Sequence, residues 1–145
     1  MKKLLILLFT ILISFNSYGL FVKTVCVETD AQDRDGVIYL PNKTKPFTGK
    51  NLCKYENGQN KSKGKIKDGK HDGKSTSWYE NGQIKGEANY KDDKKDGKET
   101  LWYENGQIEA EGNWKDGELD GKSTWWYKNG QKKHEVNFKD GKRVY

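Results

Sequence analysis

The sequence predicts an all-β protein, a single antiparallel meander of β-hairpins repeated every 24 residues. Three observations carry that expectation. The run Tyr55-Glu56-Asn57-Gly58-Gln59 recurs at Tyr79 to Gln83 and Tyr103 to Gln107, and once more as Tyr127-Lys128-Asn129-Gly130-Gln131. A second mark keeps the same step, at Thr48-Gly49-Lys50, Asp72-Gly73-Lys74, Asp96-Gly97-Lys98 and Asp120-Gly121-Lys122. Between the marks, residue character alternates with period two, as a half-buried antiparallel strand requires. Fixed periods of roughly 20 to 50 residues mark stacks of small units, none of which can bury its own apolar face alone.

Composition agrees once it is read along the chain. Of the 145 residues 33% are charged and 32% hydrophobic, and the mean hydropathy of -1.08 taken alone leans toward disorder. The first twenty residues, however, hold much of the aliphatic content, while the remainder carries nearly all the Trp and Tyr. The profile excludes a polytopic membrane protein and a large α/β enzyme core.

Residues 1–19 have the three-part layout of a secretory signal peptide: Lys2-Lys3, an apolar run from Leu4 to Phe15, then Asn16-Ser17-Tyr18-Gly19. The run is short for a membrane-crossing helix, which needs about 20 apolar residues. Cleavage is expected after Gly19, with an uncleaved anchor as the alternative. Leu20 occupies the place where a lipid-attachment signal needs Cys. The expected location is therefore exported: periplasmic, cell-envelope or secreted. Loss of Lys2 and Lys3 lowers the formal charge from +6 to +4. The remaining Lys and Glu are interleaved, so no nucleic-acid partner is expected.

Residues 20–47 fit the pattern only partly and are expected to form an atypical N-terminal capping unit. Val22 to Glu28 and Val37 to Leu40 read as short strands around a polar loop, Asp30 to Gly36, and Pro41 to Pro46 reads as irregular chain. Cys26 lies in this unit and Cys53 in the first hairpin. An even cysteine count in an oxidising compartment makes a disulfide between them reasonable, contributing about 3 kcal/mol by loop entropy. Two free thiols are the alternative, since geometry is not legible in sequence.

Residues 48–145 carry the hairpins. An Asn-Gly pair between β-like segments is a strong hairpin signal and suggests a two-residue type I′ turn. With Asn81-Gly82 as the loop, Tyr79 would oppose Ile84, Trp78 would oppose Lys85, Ser77 would oppose Gly86 and Ser75 would oppose Ala88. One face would then hold Ser75, Ser77, Tyr79, Ile84, Gly86, Ala88 and Tyr90, and the other Lys74, Thr76, Trp78, Lys85 and Glu87. The next unit repeats the division, with Ile108 beside Tyr103 and Glu109 beside Trp102. Two columns form the expected core: Tyr55, Tyr79, Tyr103 and Tyr127, and Ile66, Tyr90, Trp114 and Phe138. The linkers Lys67-Asp68-Gly69, Lys115-Asp116-Gly117 and Lys139-Asp140-Gly141 supply turn chemistry.

Units of this form, Gly-x-x-x-x-x-Tyr-x-Asn-Gly with an alternating strand and Lys-Asp-Gly, resemble MORN repeats. They are most similar to the bacterial MORN-variant group often labelled YwqK-type antitoxins. The resemblance covers about residues 36–145, including Gly36-Val37-Ile38-Tyr39-Leu40 and Lys45-Pro46-Phe47-Thr48-Gly49-Lys50. It implies a hairpin sheet that works as an assembly or interaction module.

No catalytic set stands out. His71 reads as a solvated turn residue and His134 as a polar end-cap, with no His-Cys spacing of a zinc site. Asp33-x-Asp35-Gly36 reads as an Asp-rich turn, because a calcium-loop register places Ala31 and Asn42 at ligand positions. The expectation is a non-enzyme without cofactor. Trp78, Trp102 and Trp126 are the candidate binding residues, one per hairpin and roughly 9.5 Å apart on the polar face. Such a row can grip a protein partner or stack on glycan; equally, the indoles can simply cover the sheet, while Trp125 on the opposite face reads as core. The expected function is protein binding or assembly. The alternatives are an antitoxin or immunity protein and a module that meets a membrane surface or glycan.

Overall fold

The computed structural model describes residues 22–145. The expected signal peptide thus lies outside the described residues. The described residues begin with β1 (Thr24–Val25), a single helical turn α1 (Val27–Asp30), β2 (Gln32–Arg34) and β3 (Val37–Tyr39). There follow β4 (Gly49–Lys54), β5 (Asn60–Lys67), β6 (Lys70–His71), β7 (Gly73–Trp78), β8 (Ile84–Lys91) and β9 (Lys94–Trp102). The remainder comprises β10 (Ile108–Lys115), β11 (Glu118–Leu119), β12 (Gly121–Trp126), β13 (Lys132–Lys139) and β14 (Lys142–Val144).

Twelve of these described strands form one mostly antiparallel sheet along the path β1-β4-β5-β7-β8-β9-β10-β12-β13-β14, with β6 and β11 paired beside it. Sequence neighbours are sheet neighbours throughout the hairpins, as expected of a meander. Only β1 joins in parallel, with Thr24 opposite Lys50 and Val25 opposite Asn51.

The Asn-Gly turns differ from the two-residue geometry expected from the sequence. At Asn81-Gly82 the Tyr79 carbonyl accepts from the Gly82 amide (2.9 Å) and the Gln83 carbonyl from the Tyr79 amide (2.8 Å). The loop is therefore three residues, Glu80-Asn81-Gly82, with positive φ only at Gly82 (85°). A type I turn closed by a glycine bulge has this pattern. Two-residue turns with positive φ at both centres lie instead at Asp35 and Gly36 (54° and 79°) and in the linkers, at Asp68 and Gly69 (49° and 80°), Asp92 and Asp93 (49° and 66°), Asp116 and Gly117 (51° and 91°), and Asp140 and Gly141 (47° and 72°). Asp tolerates the left-handed region because its short side chain bonds locally.

The extra loop residue shifts the register. Trp78 pairs with Ile84, not Lys85, and a bulge then restores Ser77 opposite Gly86 and Ser75 opposite Ala88. In the next hairpin Trp102 pairs with Ile108 before Leu101 meets Ala110. Ile84 and Ile108 therefore lie with the tryptophans rather than with the tyrosines. Lys85 moves the other way, its ammonium 5.7 Å from the Tyr79 ring centre.

Among the described residues the hydrophobic core cluster lies at the N-terminal end: Val25, Phe47 and Ile66 are buried, with Val27, Ile38 and Leu40 packed against them. Of the expected Ile66 column, only Ile66 is fully enclosed, because the N-terminal unit covers only the first hairpin. Tyr90, Trp114 and Phe138 are half-buried on an uncovered sheet face. The stretch read as a polar loop contains β2, which pairs with β3 around Asp35-Gly36; Asp33 Oδ1 accepts from the Gly36 amide at 2.8 Å. Likewise α1 replaces the end of the expected strand, because Asp30 Oδ2 accepts from the Cys26 amide (3.0 Å) and folds the chain back. That bond, aided by Thr29, holds the Asp30 carboxyl below the usual carboxylate range. The sulfurs of Cys26 and Cys53 are joined, with Cα atoms 4.5 Å apart.

Candidate interaction face

Strand alternation places Lys74, Thr76 and Trp78 of β7 on one face, with Lys98, Thr100 and Trp102 of β9 and Lys122, Thr124 and Trp126 of β12. Each Thr stands opposite a Glu: Thr76 with Glu87, Thr100 with Glu111, Thr124 with Glu135. The hydroxyls donate to these carboxylates at 3.3, 3.3 and 3.1 Å. Lys74, Lys98 and Lys122 reach the same carboxylates at 2.8, 2.6 and 2.9 Å. Glu135 also takes Lys132, and these donors pull its carboxyl down to about 2. The face therefore carries a neutralised Lys-Thr-Glu ladder beside its indoles.

The indoles Trp78, Trp102 and Trp126 are all half-buried. Their strand partners are Ile84, Ile108 and Lys132. The result is a stripe of Trp–Ile pairs that ends in a lysine at the last hairpin. Ile84 is 37% exposed, so the stripe is open to solvent. Sequence reasoning missed the two isoleucines, because a one-residue difference in loop length moves a side chain to the other face.

Behind the stripe, the YENGQ runs bind each hairpin to the next. The hydroxyls of Tyr55, Tyr79 and Tyr103 donate to the carbonyls of Trp78, Trp102 and Trp126 at 2.7, 2.8 and 2.9 Å. Asn57, Asn81 and Asn105 donate through Nδ2 to the carbonyls of Glu80, Glu104 and Lys128. Burial, with Glu109 and Glu104 nearby, raises the Tyr79 phenol above its ordinary value. The tyrosine column expected to be core is thus a hydrogen-bonded spine that fixes the backbone of each interaction-face tryptophan.

The opposite face is built from small residues, Gly86, Ala88, Gly112 and Ser123, all buried. On it Glu99 accepts from the Trp114 indole at 2.8 Å, and Lys95 lies 4.4 Å from that ring centre. Trp125 stacks on His134 at 4.5 Å and meets Phe138 edge-on. His71 lies in β6, its ring 5.7 Å from that of Tyr90 and its amide bonded to Asp93. Among the described residues no cluster of His, Cys, Asp and Glu is arranged to hold a metal.

The family model described as the MORN repeat variant matches residues 72–92, 95–116 and 119–140. The chain carries three consecutive MORN-variant repeats. Their starts are 23 and 24 residues apart, close to the step read from the sequence. Each matched unit ends on the Asp of a linker turn, Asp92, Asp116 or Asp140, and contains one tryptophan of the row, one Tyr-x-Asn-Gly turn and one Lys-Thr-Glu set. The matches start at residue 72, later than the resemblance expected from about residue 36. The first hairpin departs from the MORN-variant pattern in its chemistry, with Leu52 and Lys63 where the repeats have Thr and Glu. No curated protein matches the chain.

Proposed function

We propose that this protein is an exported, non-catalytic binding module whose MORN-variant repeats present the Trp–Ile stripe to a protein partner. The observation that carries the reading is the stripe itself: large apolar side chains left half-exposed, held by a backbone spine and bordered by charges already neutralised in pairs. Trp is enriched at the energetic centres of protein interfaces. A border that is already paired adds little desolvation of lone charges when a partner covers it. Export is supported by the leader read in residues 1–19 and by the Cys26–Cys53 bridge, since disulfides persist in oxidising compartments.

Replacing Trp78, Trp102 and Trp126 together with Ser tests the assignment. The tyrosine spine bonds to backbone carbonyls, so it survives the substitutions. The β circular-dichroism signal should persist while partner binding is lost; collapse of that signal would make these indoles packing residues. The partner itself is sought by crosslinking native cells, capturing the protein and sequencing both its N-terminus and its companions by mass spectrometry. A start at Leu20 with an envelope protein attached supports the proposal. A start at Met1 with one stoichiometric toxic partner replaces it with the antitoxin reading, and recovery with envelope lipid or glycan alone replaces it with a surface-binding one.

A further inference from the structure

We propose that the N-terminal end of the tryptophan face is a binding site for a single-chain amphiphilic anion, a long-chain carboxylate. A cleft of about 580 Å³ opens there, lined among others by Val22, Lys50, Lys63, Lys65, Trp78 and Ile84. Its size is that of small-molecule sites, about 300–1,000 Å³. It shares Trp78 and Ile84 with the partner face proposed above, but it stands on the lysines of the first hairpin.

Those lysines break the repeat. Lys50, Leu52 and Lys63 occupy the positions that Lys74, Thr76 and Glu87 occupy one period later. The carboxylate that neutralises each later lysine is therefore replaced by a second ammonium. Lys50 lies directly opposite Lys65, and Lys63 opposite Leu52 on one side and Thr76 on the other. Lys65 reaches Asp72 only at 3.7 Å, and Lys74 is taken by Glu87. None of the ion pairs found among the described residues involves Lys50 or Lys63. Like charges opposite one another destabilise a strand pair, and a bound anion relieves that repulsion.

The rest of the lining selects an alkyl chain. The cleft surface is mainly apolar, with Val22 56% and Ile84 37% exposed. A peptide would bring a polar amide at every residue, each needing a partner once desolvated. β5, β7 and β8 cannot supply one, because each is hydrogen-bonded to a strand on both sides. A ligand whose polarity is confined to one end leaves no such group unpaired: its carboxylate meets Lys50 and Lys63 while its chain runs along the sheet over the Trp78 ring and Ile84.

The test is titration of the purified protein with dodecanoate below its micelle concentration, followed by NMR of the Ile84 methyls and the Trp78 indole. Both signals should shift saturably, acetate should leave Ile84 unmoved, and dodecyltrimethylammonium should bind at least tenfold more weakly. Lys50→Glu with Lys63→Glu should weaken dodecanoate at least tenfold, and the milder Lys50→Gln with Lys63→Gln less, both with an unchanged β circular-dichroism signal. The same variants should still capture the partner bound through Trp102 and Trp126, so the two proposals can fail separately. Absence of a shift, as when residues before Val22 or a second copy fill the cleft, overturns the inference. So does equal binding of the cationic amphiphile, or an equal response at Trp102 and Trp126.

Discussion

At the scale of the residue, one recurring hydroxyl adds a side-chain bond to the backbone ladder between neighbouring repeats. Tyr79 and Tyr103 each close a part-buried bond to the carbonyl of a tryptophan one repeat on, whereas Tyr127 is 49% exposed and donates to no acceptor among the described residues. A hydrogen bond of this kind contributes about 1 kcal/mol net, and its loss leaves a carbonyl unpaired. Tyr79→Phe and Tyr103→Phe should each lower stability in urea unfolding by about 1 kcal/mol, with Tyr127→Phe near zero. Equal losses at all three would show that ring packing, not the hydroxyl, joins the repeats. The sequence displayed the tyrosine column plainly, but its acceptors are backbone atoms 23 residues away, which periodicity alone does not reveal.

At the scale of the element, the same turn chemistry meets different surroundings. Gly69 and Gly141 both follow Asp in two-residue turns with φ of 80° and 72°. A Cβ at Gly141 would make only ordinary contacts, the nearest at 3.5 Å, but at Gly69 it would lie 2.4 Å from Val37 Cγ1 and 3.0 Å from the Ile38 backbone. Gly69 is also tied in, its amide donating to the Phe47 carbonyl and its carbonyl accepting from Ile38. Gly141→Ala should cost about 1 kcal/mol for the left-handed backbone. Gly69→Ala should cost about 1–3 kcal/mol more through overpacking, measured by denaturant midpoints at equal slope. A smaller loss at Gly69 would mean that the β2–β3 hairpin is not seated on the first turn.

At the scale of the whole molecule, the described hairpins form a sheet whose core cluster lies at its N-terminal end, so each later hairpin depends chiefly on its neighbours. The Cys26–Cys53 bridge closes a separation of 27 residues and fastens the capping unit to β4. Nearby, buried Asn51 accepts from the Val27 amide at 3.0 Å and donates to Ser62. Cys26→Ser with Cys53→Ser should remove about 3 kcal/mol, and the loss should be local. Amide exchange should accelerate in β1 and β4 while β12 and β13 keep their protection. Uniform acceleration along the ribbon would show that the sheet unfolds as one unit rather than from its capped end.

The hairpins, their order and the alternation of faces were determined by the sequence, because Asn-Gly and period-two patterning act over a few residues and recur in all four hairpins. Trp78, Trp102 and Trp126 were legible as a row for the same reason. The tertiary structure alone decided which glycine pair makes the tighter turn, since both dipeptides accept positive φ and only the paired strands settle the loop length. That choice moved Ile84 and Ile108 onto the tryptophan face and turned a row of indoles into an apolar stripe. It likewise decided that Lys63 stands between Leu52 and Thr76, because the neighbours of a side chain across a sheet are set by register, and register is a property of two strands and not of one.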